Sequence, residues 1–285
     1  MFVDSHIHMS RKQYNGITPC IDSELENERI VYLSREELIS KMKEKSIGFC
    51  IEPAVELESN AQLLELVEDY PGFVYPAVGL HPTRSFLTKW KDRKVVEQLS
   101  LDKRVIAIGE LGLDYHYERK KQHRFKQLMW FLWQLKLAHK RNLPLILHIR
   151  EADEDAIKVL RYNKTKIKGG VCHCFNRGMY YAKVYTEEFG FMLGIGGSLL
   201  QSDSQELEET VKQIPLEFLV LETDGPYVKP MKPEGISGKQ WGKSRNTSLI
   251  IPDVAERIAE LKGIDVQEVE KVTTENVKRL FNINC

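Results

Sequence analysis

The sequence predicts one (βα)8 TIM-type barrel, and three observations favour this fold class. Short apolar runs, typical of strands buried on both faces, alternate eight times with segments of helical periodicity. The length of 285 residues suits one barrel of ~250 residues with additions, so we expect a single domain over residues 1–285. An open, doubly wound sheet is the alternative, but no glycine-rich phosphate-binding sequence follows the first strand.

The elements follow one another in regular alternation along the chain. The predicted strands are Phe2–His8, Ile47–Val55, Phe73–His81, Val105–Leu111, Leu143–Ile149, Gly169–Phe175, Phe191–Gly196 and Phe218–Asp224. The predicted helices between them are Arg35–Lys45, Asn60–Tyr70, Lys91–Ser100, Arg119–Arg141, Asp153–Tyr162, Met179–Phe189 and Gln205–Gln213. Two further helices are predicted to close the chain, because apolar residues recur at helical spacing in both. These residues are Ile250, Val254, Ile258 and Leu261, then Val269, Val272, Leu280 and Phe281.

Composition limits the possible partners. Basic and acidic residues balance at 41 each, so no overall charge draws the chain to nucleic acid or membrane. Five cysteines, an odd number without disulfide-scaffold spacing, suit a reducing compartment. The first strand begins at residue 2, and no apolar run is long enough to span a bilayer. We therefore expect a cytoplasmic protein with no membrane attachment, and nothing indicates an obligate protein partner.

Side chains that bind metal ions stand at or near the C-terminal ends of five predicted strands. These ends converge at one mouth of a parallel barrel, where active sites form. Two histidines two residues apart project to one face of the first strand, and Asp4 shares that face. Buried imidazoles and carboxylates are costly without a partner, which favours metal over an incidental polar strand end. The candidate ligands are His6, His8, Glu110, His148, His173 and Asp224.

One of these strands also offers sulfur ligands. His173 lies between Cys172 and Cys174, and alternation along a strand places both thiols on the face opposite the imidazole. We therefore take His173 as the ligand and expect the cysteines to pack against helices.

Two long connections follow the first and eighth predicted strands, Met9–Ser34 and Val228–Asn246. Long connections in compact domains are usually lids or binding loops. The second is rich in cations around Trp241, an arrangement that binds single-stranded nucleic acid, although ordinary solvated lysines would look the same. Its cations are Lys229, Lys232, Lys239, Lys243 and Arg245. More cations stand at the start of the fourth predicted helix, against the helix dipole, and these are Arg119, Lys120, Lys121 and Arg124.

The chain resembles the TatD family of metal-dependent hydrolases in motifs that occur in the family's order over essentially the whole length. The matching stretches are Phe2–His8, Val78–Pro82, Ile108–Tyr115, Leu147–Arg150, His173–Phe175, Glu222–Tyr227 and Thr274–Asn276. The resemblance implies a barrel of the metal-dependent hydrolase kind, whose relatives are described as deoxyribonucleases. The chain departs from the family pattern in its longer connection after His8 and in lacking a Glu-Pro after Arg245-Asn246.

The resemblance also implies two divalent metal ions and a role for each ligand. One ion would be held by His6, His8 and Asp224, and the other by His148 and His173, with Glu110 bridging the two. Two such cations lower the pKa of a shared water, and Asp224 would accept its proton. Nitrogen and oxygen ligands suit zinc, manganese or magnesium alike.

Four further residues are candidates for substrate contact. We assign His81, at the end of the third strand, to a substrate phosphate or to the leaving group, with a structural role as the alternative. Arg150 is predicted to hold an anionic oxygen, and its alternative is an ion pair with Glu151 or Asp153. Tyr115 and His116 could contact substrate or simply belong to a surface loop.

Three functions compete. The first is a phosphodiesterase that shortens single-stranded DNA or DNA ends, since a recessed site admits a strand end more easily than a duplex. The second is an amide- or ester-cleaving hydrolase of small molecules, which a lid formed by residues 9–34 would favour. The third is a metal-stabilised scaffold, against which the complete ligand set argues.

Overall fold

The computed structural model describes residues 1–22, 29–116 and 120–284, and within them all eight predicted strands are present. Two more strands, β2 and β3, form a hairpin in the first long connection. The strands are β1 (Phe2–Asp4), β2 (Thr18–Ile21), β3 (Ile30–Leu33), β4 (Ile47–Pro53), β5 (Val74–Val78), β6 (Ala107–Asp114), β7 (Leu145–Arg150), β8 (Gly170–Cys172), β9 (Phe191–Ile195) and β10 (Leu219–Leu221).

Eight of these strands form one sheet in the order β1-β4-β5-β6-β7-β8-β9-β10. The registered pairs β1–β4, β5–β6, β6–β7, β7–β8 and β8–β9 are all parallel. The chain just after β1 also bonds to the last strand, because the Ser5 amide donates to the Leu221 carbonyl at 2.9 Å. Successive parallel strands with the first against the last are the order of a (βα)8 barrel, so the predicted fold class is confirmed.

Helices follow the strands where the periodicity predicts them. A capping box of Ser34 and Glu37 begins the first, while Asn142 and Gly263, both left-handed, end two others. The helices are α1 (Arg35–Glu44), α2 (Leu57–Asp69), α3 (Arg93–Leu99), α4 (Lys121–Arg141), α5 (Asp153–Tyr162), α6 (Met179–Lys183), α7 (Gln205–Gln213), α8 (Gly238–Lys243), α9 (Ile251–Lys262) and α10 (Val266–Phe281). A π-helical turn over Val184–Glu188 continues α6. The predicted helix start at Arg119 lies outside the described residues.

Five of the predicted strand ends needed a correction of three residues or more. The strands β5, β8 and β10 end at Val78, Cys172 and Leu221 rather than at His81, Phe175 and Asp224, and β1 and β6 also differ. β1 ends at Asp4 rather than His8, because the following residues bond alternately to the last strand and to Ile51. β6 does not end near Glu110 but continues to Asp114. The register between β6 and β7 shifts at Glu110, and such bulges re-aim side chains near active sites.

A glycine permits the close approach of β6 to β7 beyond this bulge. Gly112 has a φ of +146°, and a Cβ there would lie 2.1 Å from the His148 carbonyl oxygen. A side chain at this position would push the two strands apart. The extension of β6 to Asp114 therefore depends on Gly112.

The chain divides into two compact units. The first comprises Met1–Ile51, Cys174–Ala182 and Gly194–Val277, and the second comprises Glu52–His173, Lys183–Leu193 and Lys278–Cys285. Each has its own apolar interior, with Phe49 and Ile7 fully buried in the first and Phe131 and Phe191 in the second. Among the described residues, no helix has the length and apolar character needed to cross a bilayer. The single-domain assignment stays a prediction.

Candidate metal centre

The first compact unit brings together the two histidines that follow β1 and the aspartate that follows β10. We call His6, His8 and Asp224 the first cluster. The two Nε2 atoms lie 3.2 Å apart, and those of His8 and His6 lie 3.3 and 3.7 Å from the Asp224 Oδ1. Both imidazoles are almost fully buried. Donor atoms bound at ~2.1 Å to one tetrahedral ion lie roughly 3.4 Å apart, so these separations fit a single divalent cation.

Asp224 is held in place by its own backbone. Its φ is +52°, which is uncommon for a residue with a side chain, and its amide donates to the His6 carbonyl at 2.8 Å. Strained conformations of this kind persist where the surrounding structure imposes them, often at functional sites. The bond ties the carboxylate to the histidine segment.

Asp4 lies fully buried beside this cluster and organises the backbone around it. Its carboxylate accepts hydrogen bonds from the His6 amide at 3.1 Å, the Thr223 amide and hydroxyl at 3.1 and 2.6 Å, and the Ser248 hydroxyl at 2.7 Å. Burial raises the pKa of Asp4 to about 7, against the lowering effect of the Thr223 and Ser248 bonds. The predicted sharing of one strand face by Asp4 and the histidines stays a prediction, because this bond is to the His6 backbone.

The second compact unit gathers three imidazoles around one carboxylate oxygen. We call His81, Glu110, His148 and His173 the second cluster. The Glu110 Oε1 lies 2.8 Å from the His148 Nδ1, 2.9 Å from the His173 Nε2 and 3.2 Å from the His81 Nε2. The His148 Nδ1 and the His173 Nε2 are 3.0 Å apart. Several nitrogens aimed at one another and at one oxygen are what a cation site requires.

The electrostatics of this cluster favour a negative Glu110. Burial alone would raise the pKa of Glu110, but the charges of His81 and His173 and the hydrogen bonds from His148 and His173 hold it well below its ordinary value. Burial lowers the pKa of His81, and the nearby Glu110 only partly offsets this. Burial therefore favours the neutral form of the His81 imidazole, which is the form that ligates a metal.

The structure gives His81 a position that the sequence did not predict. With Glu110 and His148 it forms one of the groups whose donor atoms all lie within 4.8 Å of one another. Its Nδ1 lies 2.7 Å from the Thr83 hydroxyl, which leaves the Nε2 facing Glu110. Metal ligation is thus a further candidate role for His81, beside the predicted phosphate contact, leaving-group protonation and structural role.

Asp114 is a candidate functional residue that the sequence analysis missed. Its Oδ2 lies 3.0 Å from the His148 Nε2, on the side of the ring away from Glu110. Burial would lower the pKa of His148, yet the bonds with Asp114 and Glu110 raise it. A carboxylate behind a ligating histidine fixes the tautomer and the ring orientation. Gln127 of α4 pins the Asp114 backbone through two 2.8 Å bonds.

Two of the residues predicted to contact substrate interact with other side chains of the protein. The Tyr115 hydroxyl donates to Asp155 at 3.1 Å, and the Arg124 guanidinium lies 4.1 Å from the centre of the Tyr115 ring. The His116 Nδ1 lies 2.5 Å from the Glu151 carboxylate. These contacts are compatible with the surface-loop alternative, and substrate contact stays a prediction for both residues.

The predicted role of Arg150 also stays a prediction. Arg150 is half-buried at the end of β7, and its carbonyl accepts a bond from the Tyr115 amide at 2.9 Å. The two carboxylates proposed as its ion-pair partners have other neighbours. Glu151 lies against His116, and Asp153 accepts the Tyr185 hydroxyl at 3.0 Å.

The cysteines beside His173 are placed away from the ligand groups. Cys172 is buried, and the Cys174 amide donates to Glu222 at 2.5 Å. None of the candidate metal groups found among the described residues includes a thiol. The choice of imidazole over sulfur at this strand end fits the geometry.

The two long connections meet within the first unit. β2 of the first connection pairs with the second connection, since Cys20 forms a parallel bridge with Arg245 and the Arg245 amide donates to the Pro19 carbonyl at 2.7 Å. Asn246 anchors the second connection through bonds to the Thr223 and Val228 carbonyls. Residues 23–28 of the first connection lie outside the described part of the chain.

Three of the cations predicted to contact substrate bond to the backbone of their own connection. The Lys229 ammonium donates to the Trp241 carbonyl and lies 5.0 Å from the centre of the Trp241 ring. The Lys232 ammonium donates to the Ile236 carbonyl at 2.9 Å. By contrast, Lys239 and Lys243 of α8 are exposed. Lys232 is exposed as well, and the Arg245 guanidinium donates to the Ser244 carbonyl at 3.3 Å. The predicted nucleic-acid contact therefore rests mainly on Lys239 and Lys243.

Comparisons with known proteins converge on one family. The sequence profile of the family described as "TatD related DNase" matches residues 3–282. An uncharacterized metal-dependent hydrolase, YabD of Bacillus subtilis, is 32% identical over 284 residues, covering 100% of both chains. A protein of Erwinia tasmaniensis described as a "3'-5' ssDNA/RNA exonuclease TatD" is 32% identical over 253 residues, covering 87% of this chain and 94% of the relative.

Solved structures of the same family share the fold. A TatD homologue of Escherichia coli, YJJV, superposes with a TM-score of 0.81 at 24% identity, covering 99% of this chain and 98% of the other. A TatD family hydrolase from Entamoeba histolytica gives a TM-score of 0.80 at 23% identity, covering 98% and 97%. At these identities the likeness concerns the fold alone.

Proposed function

Because the chain belongs to the TatD-related family of metal-dependent hydrolases, we propose that it cleaves phosphodiester bonds in single-stranded DNA, working inward from strand ends. The observation that carries this proposal is the pair of clusters, in each of which buried imidazoles and a carboxylate converge. A scaffold protein has no use for such clusters, because converging buried donors are costly unless a cation joins them.

The donor sets fit two divalent cations, one in each cluster. Three donors in the first cluster lie at the separations that one ion imposes, and the second cluster supplies an ionised carboxylate beside imidazole nitrogens. The absence of sulfur from both sets is compatible with zinc, manganese or magnesium. The bridging role of Glu110 stays a prediction.

The roles of the side chains follow from their positions. Bound cations of this kind lower the pKa of a water molecule toward ~7 and neutralise charge on phosphoryl oxygens. Asp224 would accept the proton of the attacking water, since its Oδ1 lies 3.3 Å from the His8 Nε2 and its side chain is partly open to solvent. Asp114 would keep a proton on the His148 Nε2, which leaves the Nδ1 beside Glu110 as the nitrogen that would ligate a cation. His81 binds either cation or substrate through the Nε2.

The proposal that the substrate is single-stranded nucleic acid is supported by one relative and by the exposed positive charges of α8. The Erwinia tasmaniensis relative is described as acting on single-stranded DNA and RNA. The exposed lysines of α8 lie next to Trp241 in the sequence. In a nucleic-acid site the lysines would contact phosphates and the Trp241 ring would stack on a base. The expected partner is therefore single-stranded DNA or a DNA end, and the expected cytoplasmic location stays a prediction.

Hydrolysis of a small amide or ester is the second candidate. It is favoured by one observation, the pairing of the β2–β3 hairpin with the second long connection through Arg245. A hairpin held in this way could restrict access to the first cluster, and the same cations would serve carbonyl chemistry.

A nuclease assay separates the two candidates. Single-stranded oligonucleotides labelled at the 5′ or the 3′ end would be incubated with the protein and Mg²⁺, Mn²⁺ or Zn²⁺, beside a panel of esters and amides. We expect a ladder of shortened products from one labelled end, abolished by a chelator. Intact oligonucleotides with every metal, together with turnover of an ester or amide, would establish the second candidate instead.

A further inference from the structure

A surface of the second unit concentrates positive charge in a protein whose total charge is balanced. Residues 84–94 and 120–126 carry nine basic residues and a single acidic one, Asp92, whereas the whole chain has 41 of each. The basic residues are Arg84, Lys89, Lys91, Arg93, Lys94, Lys120, Lys121, Arg124 and Lys126. We call these two segments the basic aromatic face. No described residue forms an ion pair with Lys89, Lys91 or Lys121.

The two segments form one surface because their side chains interlock. The Phe86 ring stacks on His123 at 4.6 Å with an interplanar angle of 10°, and the Lys126 ammonium donates to the Phe86 carbonyl at 3.4 Å. Trp90 packs edge-on against Trp130 of α4 at 5.3 Å. The segment that follows β5 is thus fixed to the beginning of α4.

Large apolar side chains on this surface face the solvent. Phe125 is 61% exposed, Leu87 65% and Trp90 39%, although such residues normally seek burial. The Trp90 ring also carries the Arg93 guanidinium 4.9 Å from its centre. Exposed rings among cations are the elements that bind single-stranded nucleic acid, through base stacking and phosphate contacts.

The cations at the start of α4 oppose the dipole of that helix. The first turn of α4 contains no acidic residue, and Lys120 stands at its N-cap. A helix N-terminus carries partial positive charge, so cations there destabilise the helix. An anion bound at this end of α4 would offset that cost.

The location suits a substrate that ends at the second cluster. The segment 84–94 follows His81 after β5, and the segment 120–126 follows Asp114 after β6. Both connections leave the C-terminal ends of adjacent parallel strands, the same ends that carry the second cluster.

We propose that the basic aromatic face is an accessory binding site for single-stranded nucleic acid, which holds the part of the strand beyond the bond being cleaved. This inference rests on the proposed nuclease function for its substrate. The rings stack on bases and the lysines contact phosphates, so binding depends on strand length and on salt but little on sequence. Small phosphodiesters gain nothing from this site.

The first test measures binding without catalysis, in the presence of a chelator. Fluorescence anisotropy would give the Kd for fluorescein-labelled oligothymidylates of about 5 and about 30 nucleotides, lengths on either side of a typical site size. We expect Phe125→Ala to raise the Kd of the longer strand about fivefold or more, because stacking on one ring is lost. Tyr162→Ala is the matched control, since Tyr162 is 87% exposed at the far end of α5.

The second test concerns charge. We expect the double substitution Lys89→Ala and Lys91→Ala to reduce the slope of log Kd against log salt by roughly 1.4, since each phosphate contact on a single strand contributes ~0.7. The double substitution Lys164→Ala and Lys168→Ala removes two cations elsewhere on the second unit and should leave the slope unchanged. Melting temperatures would confirm that every variant is folded.

The outcomes separate this inference from the function on which it rests. If the wild type with metal cleaves no oligonucleotide, the proposed function fails, whatever the binding data show. If the wild type cleaves them but the variants match it in Kd, salt slope and KM for the longer strand, the accessory site is refuted. Loss of binding to vesicles of anionic lipid with unchanged DNA binding would also refute it, in favour of a membrane surface.

Discussion

Replacing Asp114 with Asn should weaken metal binding at the second cluster while keeping the shape of the side chain. The Asp114 Oδ1 accepts the His116 amide at 3.1 Å, so the amide nitrogen of the asparagine would take the place of the Oδ2. That nitrogen donates and cannot accept, so it would turn the His148 Nε2 into an acceptor. The imidazole proton would then move to the Nδ1, which lies 2.8 Å from Glu110 and is the nitrogen needed for the metal.

The expected magnitude follows from the burial of the pair. Asp114 is 1% exposed and its Oδ2 lies 3.0 Å from the His148 Nε2, so no water can replace the lost bond. Hydrogen bonds to a charged group contribute ~1.5–3 kcal/mol. We therefore expect metal affinity to fall roughly 10- to 100-fold, the usual range for a carboxylate behind a ligating histidine.

Two measurements check this prediction. Competition with a chelating dye gives the affinity of the metal-free protein for Zn²⁺ or Mn²⁺, and ¹⁵N chemical shifts of the imidazole report the tautomer of His148. Asp155→Asn is the matched control, because the Asp155 carboxylate is half-exposed and contacts the Tyr115 hydroxyl rather than a ligand. Unchanged affinity together with an unchanged His148 tautomer in Asp114→Asn would refute the positioning role.

Three further predictions concern the clusters and the second long connection. Glu110→Gln should abolish turnover with the fold intact by circular dichroism, and a variant with full metal content and normal turnover would exclude Glu110 from the site. In the metal-free protein burial raises the pKa of Asp4 to about 7. Between pH 4 and about 7 the folded state therefore holds a proton that the unfolded state has already released. The free energy of unfolding, measured with urea, should therefore fall by up to ~4 kcal/mol as the pH rises over this range. In Asp4→Asn the dependence of this free energy on pH should be weaker, and an equally steep dependence would contradict the assignment. Replacing Lys239, Lys243 and Arg245 together by Ala should raise the KM for oligonucleotides and leave the KM for a small chromogenic phosphodiester unchanged. Oligonucleotide kinetics equal to those of the wild type, at both low and high salt, would favour the small-molecule candidate.

The sequence was most informative where burial dictates residue type. All eight barrel strands were predicted because runs such as Leu143–Ile149 are apolar on both faces. The candidate ligands were identified for the same reason, since an isolated His or Glu at the end of such a run is conspicuous. The first cluster follows the predicted grouping of His6, His8 and Asp224.

Features that depend on tertiary contacts were missed. Nothing in the local pattern shows that β6 continues past a bulge at Glu110, because Gly112 and Asp114 look like the start of a turn. The pairing of Asp114 with His148 was hidden for this reason. The β2–β3 hairpin was also missed, because its short strands contain Pro19 and are stabilised by the distant Arg245 segment.

The number of metal ions bound by each chain tests the central claim most directly. Native mass spectrometry, with elemental analysis of the same samples, would count divalent ions after removal and reloading of metal. The account predicts two ions in the wild type and one in each of His8→Ala and His148→Ala, since each variant disables one cluster. A single ion in the wild type, or two ions retained in either variant, would contradict it.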